Sequence, residues 1–360
     1  MRVVSILLSI IILNCQYFTI FASQRNDNPA VKNIILLIGD GMGTSQMYAG
    51  LTANNGSLNI ERCTYVGLCQ TYSANNYITD SAAAGTAIAC GVKTNNGTIG
   101  MDTNNTPVKS ILQYAVENGL STGIVVSCDV THATPASFIA HQPKRSMVEE
   151  IAEDFLKTDF TVLIGGGRKN FEDRSDKVNL TDRLKKKGYE VVYNMNSIKE
   201  SNAEKLVAFL ADVHLAAYPK RGEALPESVG KAIDILKNNE KGFFLMVEGS
   251  LIDSEGHRNN TEGIINEVLD FDRAVKVALD YAETDPHTLI IITADHETGG
   301  MGLNGGNVVK GEVKAEFTTK GHTAVPVPIY TFGAGAQKFT GIYQNTDIFH
   351  KCLTLFGFDK

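Results

Sequence analysis

Asp253 and His257 stand four residues apart in "LIDSEGH", and Asp295 and His296 stand side by side in "TADHE". On a helix, a four-residue spacing puts both side chains on one face, where a carboxylate and an imidazole can grip one ion. Adjacent residues can do the same where the backbone turns, as at the end of a strand. Carboxylate plus imidazole is a donor set suited to zinc. His322 is a further imidazole, just before an apolar run. Glu248, together with a hydroxyl such as that of Thr134, offers oxygen donors, which magnesium prefers. Asp40 adds a carboxylate in "IGDGMG". Ser81 lies in "YITDSAAAGTAIACG", after an aspartate and before a run of small residues. A serine hydroxyl is a weak nucleophile at neutral pH and needs a base or a metal. No histidine lies within forty residues of it on either side. The same stretch also reads as a helix start with Ser81 as N-cap, a position that Ser and Asp both favour.

Scattered donors act together only if the fold collects them. Apolar runs at 33–39, 122–128, 160–167, 242–249, 287–295 and 327–333 read as strands. Several lack alternation, as strands buried on both faces of a parallel sheet should. Amphipathic stretches at 107–119 and 261–283 read as helices between them. The pattern predicts an α/β fold, a doubly wound, mostly parallel sheet flanked by helices. Residues 170–225 are more polar and irregular, and are expected to elaborate one side. Open parallel sheets bind ligands beyond the carboxyl ends of their strands. Asp40, the "DVTHATP" segment, Glu248 and the Asp295–His296 pair all follow such runs, and His322 precedes one. A set of solvated loop acids and unrelated histidines would not be expected to gather on one edge of one sheet.

The chain has 360 residues, 43% of them hydrophobic, enough for a large core. Its formal net charge is −7 and it has no basic block, which argues against a nucleic-acid partner. An acidic protein repels anionic substrates at long range, so phosphate chemistry would need local cations. Arg2 followed by "VVSILLSIIIL" reads as a secretion signal, too short to span a bilayer comfortably. Cleavage near residues 20–23 would leave 24–360 as a single domain, with no transmembrane segment. "ILNC" raises lipoprotein anchoring at Cys15 as an alternative, but Asn14 stands where such signals usually carry a small residue. Cys63, Cys69, Cys90, Cys128 and Cys352 would remain, and an odd number forbids complete pairing. Cys63 and Cys69 are close enough in sequence for a small disulfide loop. Cys90 and Cys128, in apolar surroundings, read as buried thiols.

The blocks "IGDGMG", "TDSAAAGTA", "GVKTNNGTIGMD", "HATPASFIAH", "GGGRKNF", "FFLMVEGSLIDSEGH", "TADHETGG" and "GHTAVPVP" follow one another along the chain. In content and order they resemble the blocks of alkaline phosphatases, over nearly everything after the signal. The resemblance implies two zinc ions and one magnesium ion. It assigns Asp253, His257 and His322 to the first zinc, and Asp40, Asp295 and His296 to the second, next to Ser81. Asp40 would also reach the magnesium site with Thr134 and Glu248. Arg145, thirteen residues after His132, falls at the place of the family's phosphate-binding arginine.

On that resemblance, small phosphomonoesters are the substrates and Ser81 becomes a phosphoserine. Zinc answers the missing histidine, because it lowers the pKa of a coordinated hydroxyl. Contacts made to the phosphate alone imply broad leaving-group specificity. The resemblance also implies a homodimer and a periplasmic location. His132 stands where bacterial members often have an aspartate near the magnesium, making it a third-site or supporting residue. Ser254 stands where they often have a lysine. The segment between Glu297 and His322 has no room for the large crown-like insertion of vertebrate members. A phosphodiesterase or phosphonate-cleaving enzyme of the same superfamily is the rival reading; those enzymes typically use a threonine nucleophile and lack the Arg145 pattern. A non-catalytic zinc- or phosphate-binding descendant would be expected to have lost a ligand or the nucleophile.

Overall fold

The computed structural model describes residues 29–359. The signal expected over 1–23 and Cys15 lie outside the described residues. In chain order the strands are β1 (Asn33–Gly39), β2 (Tyr65–Gln70), β3 (Ser121–Asp129), β4 (Val162–Gly166), β5 (Glu190–Val192), β6 (Leu206–Phe209), β7 (Phe243–Gly249) and β8 (Thr288–Thr293). They continue with β9 (Glu297–Thr298), β10 (Met301–Asn307), β11 (Glu312–Phe317), β12 (His322–Thr323), β13 (Val327–Gly333) and β14 (Gly341–Gln344). Ten of them form one sheet in the order β14-β2-β13-β8-β1-β7-β3-β4-β6-β5. Only β13 runs antiparallel to its neighbours in that sheet. This is the α/β architecture expected, with helices on both faces.

The middle of the sheet explains the apolar runs. β1 pairs in parallel with β7 on one side and β8 on the other, and all seven of its residues are buried. A strand covered on both faces needs apolar residues at every position. The helix Thr261–Thr284 packs on the sheet through Ile264, Val268, Phe271, Val275 and Leu279, a stripe at three- and four-residue spacing. Asn260 caps it by accepting from the Gly263 amide at 3.2 Å.

Several expectations change. The helix anticipated over 107–119 covers Ile111–Glu117, because Ser110 and Gln113 form a capping box that starts it there. Residues 170–225 do more than elaborate one side: β5 and β6 lie within them and extend the sheet. They are short, three and four residues, so their periodicity is weak. Cys63 and Cys69 form no disulfide; both are free thiols. β2 runs extended through most of the interval, at about 3.3 Å per residue, whereas a disulfide needs Cα atoms within about 7 Å. Cys90 and Cys128 are buried thiols, as expected. Between Glu297 and His322 the chain makes the antiparallel β10–β11 ribbon, which packs on the helix Thr44–Ala53.

Candidate metal centre and active site

The carboxyl ends of β1, β7, β8 and β3 meet at the middle of the sheet and deliver the donors. Asp40 follows β1 and Glu248 lies near the tip of β7. Asp295 and His296 fill the turn between β8 and β9, and the short helix Leu251–His257 carries Asp253 and His257. β12 pairs with β9 so that His322 lies opposite Thr298. Gly41 turns the chain after Asp40 with φ of 73°, and a Cβ there would meet Thr298 Oγ1 at 2.7 Å. Glycine is therefore required at this crowded turn.

The first cluster joins Asp253, His257 and His322. Asp253 Oδ2 is 3.3 Å from His257 Nε2, and Asp253 Oδ1 is 3.5 Å from His322 Nε2. His257 donates its Nδ1–H to the Lys320 carbonyl at 2.6 Å, and His322 donates its own to the Thr79 carbonyl at 2.9 Å. Carbonyls only accept, so each neutral ring keeps its Nε2 lone pair facing inward, as for metal-bound histidines. The two Nε2 atoms are 3.2 Å apart. Two lone pairs at that distance repel unless a proton or a cation lies between them. The hydrogen bond and charge of Asp253 push His257 up to about 9, so a proton competes with a cation for this place.

The second cluster surrounds Ser81. His296 Nε2 is 3.2 Å from Ser81 Oγ, 3.1 Å from Asp295 Oδ2 and 3.6 Å from Asp40 Oδ1. Asp40, Asp295 and His296 are fully buried, and Ser81 nearly so. Both Asp40 oxygens and Asp295 Oδ2 lack a hydrogen-bond partner. A buried carboxylate without partners is costly, and a cation is the usual remedy. Burial first, then the charges of Asp295, Asp253 and Glu248, push Asp40 well above the usual carboxylate range. Thr298 links this cluster to the first. Its hydroxyl donates to Asp253 Oδ1 and lies 3.3 Å from His296 Nδ1, whose proton it can accept. That leaves Nε2 of His296 free to face the carboxylates.

Ser81 is the first residue of the helix Ser81–Cys90 and not its cap. Asp80 is the N-cap, accepting from the Ala83 amide at 3.0 Å. This frees the Ser81 hydroxyl. The helix "SAAAGTAIAC" is buried along its whole length and packs on Ala133–Ala136. A Cβ on Gly85 would meet Ser137 Oγ at 2.9 Å, so the small residues set this close approach.

The third cluster holds Glu248, Thr134, His132 and a residue not anticipated, Cys128. Glu248 Oε2 accepts from Ser250 Oγ at 2.8 Å and lies 3.3 Å from Cys128 Sγ. Glu248 Oε1, Thr134 Oγ1 and His132 Nδ1 are buried without partners. Burial pushes Glu248 up to about 7. Burial, with Arg145 and His214 adding to it, pushes His132 down to about 3, so its ring is neutral at ordinary pH. Arg145 spans the second and third clusters. It donates from Nη1 to Asp80 Oδ2 at 3.2 Å and from Nη2 to His132 Nε2 at 3.1 Å.

The metal-ligand, phosphate-binding and nucleophile candidates of the sequence therefore meet in one place. Asp80, Thr298 and Cys128 were missed as members of it. Asp80 was visible only as a capping type. Cys128 shares with Asp40 and Glu248 a position at the end of a buried strand, and that signal was available. A roomy cavity opens elsewhere, between Ser121 and Lys231, and no histidine lines it. Chemistry, not volume, identifies the site.

Comparison with known proteins shows the family and the fold. The family model described as alkaline phosphatase matches residues 31–316. Alkaline phosphatase 4 of Bacillus subtilis strain 168 is 35% identical, over 91% of this chain and 89% of that protein. Alkaline phosphatase of Escherichia coli strain K12 is 32% identical, over 92% of this chain and 87% of that protein. The solved alkaline phosphatase of the Antarctic bacterium TAB5 superposes with a TM-score of 0.87 at 39% identity, covering 91% of this chain and 98% of that one. A histidine-to-aspartate variant of that Antarctic enzyme, described with magnesium bound in its M3 site, superposes at 0.86, with 38% identity and the same coverage. With a family match over most of its length and a sheet that gathers buried, unpartnered carboxylates beside histidines, this chain belongs to the alkaline phosphatase family of metal-dependent phosphatases.

Proposed function

We propose that the chain hydrolyses phosphate monoesters of many alcohols through a phosphoserine on Ser81, releasing inorganic phosphate. The observation that carries this reading is Ser81 Oγ standing 3.2 Å from His296 Nε2, which faces the partnerless Oδ1 of Asp40 and the partnerless Oδ2 of Asp295. The donor sets suit zinc with Asp253, His257 and His322, zinc with Asp40, Asp295 and His296, and a third ion, magnesium in the family pattern, with Asp40, Thr134 and Glu248. When bound there, zinc would supply the lowered pKa of the Ser81 hydroxyl and the positive charge that offsets the attacking and leaving oxygens. Ser81 then attacks phosphorus from a helix N-terminus, whose partial positive charge favours the phosphate. Asp80 and His132 take two of the five N–H donors of Arg145 and hold its fork in place, leaving the others for two phosphate oxygens. Water attacks the phosphoserine in the second step. No side chain in this account addresses the leaving group, which is why specificity is broad. Comparing p-nitrophenyl phosphate with its bis-ester, with and without zinc, tests the reading. Preference for the bis-ester would mark a diesterase, and no turnover of either would mark a binding protein.

The mature chain is read as residues 24–360, one domain, secreted and periplasmic. No helix among the described residues is long and apolar enough to cross a membrane. Burial pushes the Cys69 and Cys352 thiols up to about 12, which slows their oxidation outside the cytosol. A homodimer is supported by the sheet edge, where Ile342 on β14 pairs with Leu68 on β2 beside Val66 and all three are exposed.

Two variants probe the phosphate end of the site. Arg145→Ala removes the fork but no metal donor, so it should weaken phosphate binding by about 10-fold or more, about 1.4 kcal/mol, and turnover less. Inhibition by inorganic phosphate reads this directly; unchanged inhibition would mean the clamp lies elsewhere. His132 brings no charge to the third cluster, so that cluster should hold magnesium weakly and admit zinc when zinc is in excess. The aspartate variant of the Antarctic enzyme, with magnesium in its M3 site, supports this direction. His132→Asp should tighten magnesium by about 10-fold, again about 1.4 kcal/mol, and shorten slow activation by magnesium. Identical magnesium titrations of both proteins, each preloaded with two equivalents of zinc, would leave His132 a packing role only.

A further inference from the structure

Cys128 is the buried nucleophilic group that the mechanism above does not use. It lies near the end of β3, beside β7, and its side chain is 1% exposed. Its Sγ is 3.3 Å from Glu248 Oε2, across 120 residues of sequence. Cys128, His132 and Glu248 each place one donor atom within 4.8 Å of the others. The cysteine is not alone there: Glu248 Oε1, Thr134 Oγ1 and His132 Nδ1 are all buried and lack partners. Sulfur and oxygen donors sharing one tetrahedral zinc stand about 3.5 Å apart, given bond lengths of about 2.3 and 2.1 Å. Cys128 Sγ stands at 3.3 Å from Glu248 Oε2, near that spacing, in a contact where the thiol donates and Oε2 also accepts from Ser250 Oγ; the second oxygen, Oε1, is the one without a partner. Magnesium demands oxygen donors in a near-octahedral shell, and a thiol in the wall of its site spoils both requirements. Thiolate is a softer donor that selects zinc and its analogues; His132, whose Nε2 accepts from Arg145, carries its proton on Nδ1 and adds a nitrogen donor only by giving that proton up.

The geometry points to Cys128 as a thiolate ligand that makes the third cluster a sulfur-containing site for a thiophilic divalent cation, zinc, cobalt or cadmium, in preference to magnesium. This rests on reading the cluster as a metal site. On binding, the S–H bond breaks, the sulfur lone pair forms the bond to the metal, and the proton leaves to solvent. Without Cys128 the cluster reverts to oxygen donors and the neutral imidazole.

Cobalt reports both parts separately. The metal-stripped full chain is titrated with cobalt(II) in excess magnesium and followed in the visible and near-ultraviolet. Visible ligand-field bands report cobalt among histidines and carboxylates; a near-ultraviolet charge-transfer band reports a cobalt–sulfur bond. The expected result is both, with the charge-transfer band lost in Cys128→Ser and in Cys128→Ala. Zinc per chain after dialysis against zinc plus excess magnesium should fall by one equivalent in the same variants. Ligand-field bands without the charge-transfer band overturn the assignment of Cys128 and leave the zinc reading intact. A charge-transfer band that persists in the variants overturns it too, by placing the bond on another cysteine. No cobalt bands at all overturn the metal-site reading itself. Should neither variant fold, the wild-type near-ultraviolet band and its displacement by zinc but not by magnesium still decide.

Discussion

Replacing Ser81 by alanine abolishes the phosphoenzyme and lowers turnover of p-nitrophenyl phosphate by about 10³-fold or more, about 4 kcal/mol of barrier at 1.36 kcal/mol per decade. The size follows from what is lost. Ser81 Oγ is held at the first turn of a buried helix, against His296 and next to Asp80, which anchors Arg145, so its attack needs little reorganisation. A water molecule entering in its place has to be ordered first, and residual activity reflects that water. The substitution removes one oxygen and disturbs no cap, because Asp80 performs the capping. Zinc content and melting temperature should therefore stay close to wild type. Acid quenching with radiolabelled phosphate should label Ser81 in the wild type and nothing in the variant. Label at another residue, or wild-type turnover in the variant, would sink the covalent mechanism.

Metal removal is expected to abolish activity and to lower the melting temperature on the order of 10 °C. A cation at 1,000 times its dissociation constant stabilises the folded state by about 4 kcal/mol. In a domain of this size each kcal/mol moves the midpoint by about 2 °C, and there is more than one cluster. The pH dependence carries a sign that checks the ligands. Without metal, burial and neighbouring carboxylates raise Asp40, burial raises Glu248 to about 7, and Asp253 raises His257 to about 9. A group whose folded pKa is raised gives stability that is complete below its unfolded pKa and is lost as pH rises through the folded one. The stripped protein should thus lose stability from pH 7 to pH 9. Metal binding displaces these same protons and strengthens over that interval. The gap in melting temperature between loaded and stripped protein should widen as pH rises. A gap that stays constant, in samples whose metal content has been measured, would mean that these side chains are not the ligands.

The sequence by itself determined the types of donor, the strand ends that carry them and the α/β layering. A strand covered on both faces must be apolar throughout, so "NIILLIG" and "HTLIIIT" announce the centre of a parallel sheet. Donors after such runs must face one edge. The four-residue step from Asp253 to His257 likewise placed both on one helical face, because helical pitch is local. Short strands gave no such signal. β5, β6 and β14 have three or four residues each, too few for a period to emerge, and β2, second from the sheet edge between β14 and β13, carries mostly exposed residues. What only the tertiary structure decided is who meets whom. Ser81 has no histidine near it in sequence, yet strand order brings His296 from 215 residues away to its hydroxyl. The inward lone pairs of His257 and His322 depend on carbonyls of Lys320 and Thr79, peptide groups that any residue could supply. Cys128 reads as a core thiol until the β3–β7 pairing sets it against Glu248. Periodicity reports the environment of each segment by itself; ligation depends on register between segments, which is settled only when the strands have chosen their neighbours.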